Sequence, residues 1–231
     1  MYFYIMDSAA VIRMFEKHQK SFHPLIISKL PFAAIDLSKS NTAFTCDVFN
    51  NHEKFAEYIN ALRKEHGYGF LYGGYREVRE MYNKRNLFDS GNESRSLHLG
   101  LDIWGEAGTP INAPLGGMVH SFSFRPENGD YGIVIILQHQ LETMNFYSLY
   151  GHLSASDIKY LRKGQFISRG EPFARFGTPE ENGNWPPHLH FQLIMDIGNM
   201  EGDYPGVCKL SEASAYIHNS PDPSFLLNQP K

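Results

Sequence analysis

The sequence predicts a mainly β protein carrying an α-rich N-terminal segment, and three observations predict it. Helical periodicity is confined to the first third of the 231 residues. Beyond about Asp89, short apolar runs alternate with glycine-bearing turns. One run, GIVIILQH, is nearly continuous in β-branched and aliphatic residues. These features divide the chain into an α-rich segment, residues 1–88, and a β domain, residues 89–231.

Within the first segment, a helix is expected from Ser8 to Lys20. Ser8 is placed to cap it, Val11, Ile12, Met14 and Phe15 form its apolar face, and Pro24 blocks its extension. A stronger helix is expected from Asn50 to His66. Phe55, Tyr58, Ile59 and Leu62 recur at helical spacing, and Gly67 stops it. GYGFLYGGY reads as a loop leading into REVREMYNKRNLF, a short helix or a packing arm. In the β domain, LHLGLDI alternates, MVHSFSF and NFYSLYGHL are strands, ENGDYG is a turn, and KGQFISRGEPFARFG gives two short strands. Ala213 to Ile217 allows one helical turn before an extended tail.

Composition narrows the function classes. With 42% hydrophobic and 20% charged residues, the chain can bury a sizeable core. A formal net charge of −4 argues against nucleic-acid binding, which usually leaves a basic surplus. No stretch approaches the roughly 20 apolar residues of a membrane span. The opening MYFYIMDSAAVIRMF is too short in apolar residues for a secretory leader, so a cytoplasmic location is expected. Two cysteines, Cys46 and Cys208, do not make a disulfide framework.

The chemistry lies in histidines. In WPPHLHFQL, strand alternation points His188 and His190 one way and Leu189, Phe191 and Leu193 the other. In RSLHLGLDI, Leu97, Leu99, Leu101 and Ile103 form a core face, while His98, Gly100 and Asp102 share the opposite one. The four residues from His98 to Asp102 span about 13 Å at about 3.3 Å per residue, too far for comfortable joint ligation, so a bend or bulge is expected at Gly100. A surface His and Asp on an amphipathic strand is the plain alternative. Adding one histidine of the HLH pair gives two nitrogens and one oxygen with a fourth position open, the pattern of a catalytic zinc site.

HLGLD, YGHLS and PPHLHFQL, in that order, resemble the three signatures of the LytM or lysostaphin-like (M23) zinc metallopeptidases. The similarity runs from about Arg95 to Ile194 and includes the APLGGMV and KGQFISRGEPFARFG hairpins. It implies a compact antiparallel β-sheet domain, barrel- or sandwich-like, with a groove holding one Zn2+ per chain. It implies His98, Asp102 and His190 as metal ligands, with His152 and His188 as catalytic residues that do not bind the ion. It implies peptide-bond hydrolysis, in peptidoglycan cross-links or stem peptides, by metal-activated water with histidine assistance. The helix-borne glutamate base of other zinc peptidases is not available, because there is no HExxH. Some latent members place an upstream asparagine on the zinc, and Asn83, Asn86 and Asn92 are candidates of no particular merit for that place here.

Two other functions remain open at this stage: a zinc hydrolase of a small intracellular amide, since ENGNWPPHLHF also resembles intracellular M23-like modules, and a non-catalytic binding module. Tyr147, Tyr150 and Trp185 border the expected groove, with Tyr150 and Trp185 as substrate-binding candidates. Gln192 shares the face of the histidine pair and is positioned to hydrogen-bond a ligand. His139 is expected in a turn or supporting a ligand, and His18, His23, His52, His66, His120 and His218 are expected to be ordinary. Tyr75, Glu77 and Arg79 are expected on a solvated helix face, with packing over the cleft as the alternative. Oligomeric state is not readable.

Overall fold

The structure, a computed structural model, describes residues 8–65, 67–79 and 93–227. In chain order the described elements begin with α1 (Ser8–Lys17), β1 (Phe32–Ala34), α2 (Cys46–Asn50), α3 (His52–Glu65) and β2 (Phe70–Gly73). Next come β3 (Leu97–His98), β4 (Leu101–Trp104), β5 (Pro110–Asn112), β6 (Gly117–Arg125), β7 (Gly132–Leu141) and β8 (Met144–Leu153). Last are β9 (Phe166–Ile167), β10 (Pro172–Arg175), β11 (His188–Ile194), β12 (Val207–Cys208) and α4 (Ala213–Asn219).

Eight strands form one sheet in the order β1-β2-β4-β11-β8-β7-β6-β9. Its pairings are antiparallel except β1 with β2. Two-stranded pairs β10-β5 and β12-β3 complete the β structure. The sheet is thus mainly β and largely antiparallel, the class the sequence predicts. The textural border near residue 89 is not a border of the sheet, because β1 and β2 lie beside β4.

Two local readings are corrected. The helix expected from Asn50 to His66 is split: Asn51 adopts an extended conformation, and its Oδ1 accepts from the backbone N–H of Glu53 and Lys54. Asparagine competes well for such a capping role, so α3 begins there. GYGFLYGGY is not a loop throughout. Phe70–Gly73 is a strand because β4 supplies a pairing partner, with Gly73 opposite Asp102. Local composition carries no sign of that tertiary pairing. The REVREMYNKRNLF reading lies beyond residue 79 for most of its length, outside the described residues, as do Asn83, Asn86, Asn92 and His66.

The core occupies one face of the sheet. Leu101, Ile103, Leu189, Phe191 and Leu193 meet Ile133, Ile135 and Leu137 there, and α1 covers them with Val11 and Phe15. A second cluster packs on the other side, where Phe49 and Phe55 of α2 and α3 meet Trp104 and Trp185.

His139 is buried within β7, its Nδ1–H donating to the Gly116 carbonyl at 3.0 Å and its Nε2 lying 2.6 Å from Ser148 Oγ. Burial pushes its pKa down to about 4. Between the unfolded value of about 6.5 and the folded one, the unfolded chain binds a proton that the fold refuses. Stability therefore falls as pH drops from about 6.5 to about 4, by roughly 3 kcal/mol from this group. Thermal unfolding of metal-free protein across that window should be shallower in pH for His139→Gln. Identical slopes would show the imidazole does not titrate this way.

Candidate metal centre

Strand register builds the centre. His190 of β11 lies directly opposite Asp102 of β4, and His188 lies opposite Trp104. Side chains facing each other across an antiparallel pair have Cβ atoms about 4.5–5.5 Å apart, so Asp102 and His190 meet without further devices. His98 reaches the same point because β3 and β4 are separate strands, β3 pairing with β12 instead of the main sheet. The chain turns at Gly100, as the reach calculation requires.

Gly100 is needed for a second reason. A Cβ there would lie 2.5 Å from His190 Cε1 and 2.8 Å from the Phe191 carbonyl oxygen. Gly100→Ala should push the His190 ring aside, costing about 1–3 kcal/mol of stability as an overpacked site and weakening metal binding. Chemical denaturation and a metal titration of this variant test both effects, and wild-type behaviour in the two would show that the ring has room to yield.

The three donor atoms converge. His98 Nε2 lies 3.0 Å from His190 Nδ1 and 3.3 Å from Asp102 Oδ1, and His190 Nδ1 lies 3.1 Å from Asp102 Oδ1. Tetrahedral bonds of about 2.0–2.1 Å around zinc would set neighbouring donors about 3.3–3.4 Å apart, so the triangle matches with little adjustment. All three residues are buried.

Proton placement agrees with metal binding. His98 Nδ1–H donates to the Gly74 carbonyl at 2.8 Å, leaving Nε2 with its lone pair facing inward. Gln192 donates its amide to the Pro205 carbonyl and Ser220 Oγ, which turns its Oε1 toward His190 Nε2 at 3.1 Å. His190 thus donates from Nε2 and presents Nδ1 to the centre. Burial, then the Arg79 charge, pushes the His98 pKa down, so a proton is a poor cation for this cluster. Burial pushes the Asp102 carboxyl up, but its charged neighbours outweigh burial and hold it well below the usual carboxylate range. Two imidazole nitrogens and one carboxylate oxygen converging on one point form a donor set that suits a divalent metal.

His152 and His188 stand beside this triangle, their ring centroids 4.0 Å apart. His152 Nδ1–H donates to the Asn182 carbonyl and His188 Nδ1–H to the Pro186 carbonyl, each at 2.8 Å. A carbonyl only accepts, so each Nδ1 carries a proton, and in the neutral form of either ring Nε2 is the unprotonated nitrogen. Burial and the neighbouring His188 push His152 well below the usual range, and burial pushes His188 down to about 4. The His188 ring stacks on Trp104 at 4.0 Å, which fixes its plane.

A bulge brings His152 to this side. Ile133 pairs with Leu153 and Ile135 with Tyr150, so β8 carries one extra residue at this point, and His152 has a left-handed backbone with φ of 64°. Tyr150 and Leu153 then both face the core, while His152 faces the cleft. This overturns Tyr150 as a substrate-binding residue. It is fully buried against Phe173 and Phe191, with its hydroxyl 3.0 Å from Ser148 Oγ. Tyr147 packs with the cluster around Val134 and Ile136 and does not line the cleft either. Trp185 does line the cleft, together with all five histidine and aspartate residues of the site.

Sequence reasoning missed two contributors. Arg79 is not on a solvated face: it is 1% exposed, and its Nη1 donates to Asp102 Oδ2 at 2.6 Å. Nothing in REVRE signals this, because the pairing is tertiary. Asn182 is fully buried, accepts from the Trp185 N–H, donates to the Trp185 carbonyl, and offers its own carbonyl to His152. Its place in ENGNW, a turn-forming cluster, was the available signal.

Residues 96–201 match the sequence profile of Peptidase family M23. This region is similar to the peptidases of family M23. The chain is also similar to the L-Ala--D-Glu endopeptidase of Bacillus subtilis (strain 168), 26% identical over 134 residues. That alignment takes in 55% of this chain and 39% of the relative, so the chain spans well under half of the relative's length. Among solved structures, the catalytic domain of lysostaphin from Staphylococcus simulans is similar at 19% identity and a TM-score of 0.46, covering 75% of this chain and 98% of that one. A zinc-containing peptidase from Vibrio cholerae is 26% identical, with a TM-score of 0.34, over 42% of this chain and 27% of that one. The M23 region holds all five residues at the cleft. Among the described residues, no helix is long and apolar enough to cross a membrane.

Proposed function

We propose that this chain is a zinc metallopeptidase that hydrolyses peptide bonds in the stem peptides or cross-links of peptidoglycan. The observation that carries this reading is the triangle of His98 Nε2, His190 Nδ1 and Asp102 Oδ1, with edges of 3.0–3.3 Å, facing a cleft shared by two neutral histidines. Similarity to family M23 supports the reaction class, and the name of the Bacillus relative supports a peptide containing D-amino acids.

Zinc held by the three donors would act as a Lewis acid toward the scissile carbonyl and lower the pKa of a water at the fourth position. This chain's residues would do the rest. An unprotonated Nε2 on His152 or His188 accepts the proton of the attacking water. The imidazole that takes this proton then delivers it from the same Nε2 to the leaving amine as the C–N bond breaks. Carbonyl acceptors on both Nδ1 atoms fix the tautomers this requires, and Trp104 fixes the His188 plane. Trp185, on the cleft wall, is positioned to contact the substrate chain.

Incubating the zinc-loaded protein with purified peptidoglycan and with soluble dipeptides, each with and without a chelator, tests the proposal. New amino groups from peptidoglycan, abolished by chelation and restored by zinc, are expected. Turnover of soluble dipeptides alone would replace the wall by a small amide as substrate, and no turnover of either would overturn the enzymatic reading.

A further inference from the structure

We propose that Arg79 is a positioning residue of the metal centre, locking the Asp102 carboxylate so that a single oxygen faces the ion. The segment 74–79 thereby becomes part of the centre although it lies outside the M23-matched region. This inference rests on the metal reading above and adds a residue to it.

Four observations converge. Arg79 Nη1 donates to Asp102 Oδ2 at 2.6 Å, while Oδ1 belongs to the donor triangle. The two oxygens therefore have different tasks, and Oδ2 is held away from the ion. Arg79 Nε donates to Glu77 Oε2 at 2.5 Å, and Glu77 Oε1 accepts from the Leu37 N–H at 2.9 Å. The guanidinium is thus anchored to the backbone on its far side. Its planar fork bridges two carboxylates, which an ammonium cannot do in the same geometry. Gly74 makes room for it, since a Cβ there would lie 2.0 Å from Arg79 Nη2 and 2.9 Å from His98 Nδ1. The same Gly74 gives its carbonyl to His98 Nδ1–H, and Gly73 sits opposite Asp102 in the sheet. One short stretch therefore orients two of the three donors.

The chemical consequence is one of orientation. A carboxylate whose Oδ2 is held by a guanidinium presents Oδ1 to a cation without first losing its own rotational freedom, so the donor set is pre-arranged for binding.

The test uses the full chain loaded with Zn2+ or Co2+. Metal Kd is measured by competition with a chromophoric chelator, and the visible bands of the cobalt form report the coordination geometry. Arg79→Met with Glu77→Gln removes both charges together and leaves no buried carboxylate unpaired at position 77. We expect a Kd weaker by about 10–100-fold and shifted cobalt bands. A wild-type Kd with unchanged bands overturns the proposal. If that variant does not fold, as judged by circular dichroism, Arg79→Lys decides by the same criteria. Wild-type protein that binds neither ion would instead refute the metal centre itself, so the two failures are distinguishable.

Discussion

Replacing His190 by alanine should abolish metal binding, whereas the same change at His188 should leave the metal in place and stop turnover. The two residues are two positions apart on one strand and face the same side, so composition alone treats them alike. Register separates them. His190 lies opposite Asp102 and contributes one corner of the donor triangle, while His188 lies opposite Trp104 and stacks on its ring. Removing a corner leaves one imidazole and one carboxylate, a poor grip for a divalent ion. Removing His188 takes away an unprotonated Nε2 beside His152, a loss of about 10²–10⁴-fold in rate for a general acid–base group. Elemental analysis and turnover measured on the same two preparations check the split. Equal metal loss in both variants would mean the division of labour between these histidines is wrong.

Withdrawing the metal should destabilise the whole domain, not only inactivate it. In the folded chain three lone-pair-bearing atoms are held within 3.3 Å of one another and buried. Such a cluster repels itself unless a cation sits among them. Asp102 and His190, two of the three, sit on β4 and β11, which are interior strands of the main sheet, so their repulsion acts within it. Binding to the folded chain alone stabilises it by about 4 kcal/mol when free metal is about 1,000 times Kd. Chelated protein should therefore unfold at a lower temperature, and its amides around residues 98–104 and 188–192 should exchange faster. An unfolding temperature indifferent to chelator and zinc would contradict a buried metal cluster.

How much of this was legible in the sequence depends on whether the cause was local. The alternation in HLGLD and HLHFQL placed His98, Asp102, His188 and His190 on common faces, and a reach calculation placed a turn at Gly100. Those are properties of strands, and the structure brings the four side chains together. His152 was reached only through the resemblance of YGHLS to the M23 signatures. Alternation would put it on the same face as Tyr150, and a bulge with one left-handed residue sends the two to opposite sides. The error over Tyr150 has that cause. The sequence leaves Arg79 between a solvated helix face and packing over the cleft, because the carboxylate that claims it lies 23 positions away. Likewise, β2 was hidden in a glycine- and tyrosine-rich stretch because its strand character comes from β4. Short-range pattern finds donors, and only tertiary pairing reveals what holds them.

X-ray absorption at the zinc edge of the loaded protein tests the central claim most directly. One zinc per chain is expected, with nitrogen and oxygen neighbours at about 2.0–2.2 Å and the outer-shell scattering of two imidazoles. A sulfur neighbour at about 2.3 Å, or scattering from no imidazole, would contradict a centre built from His98, Asp102 and His190.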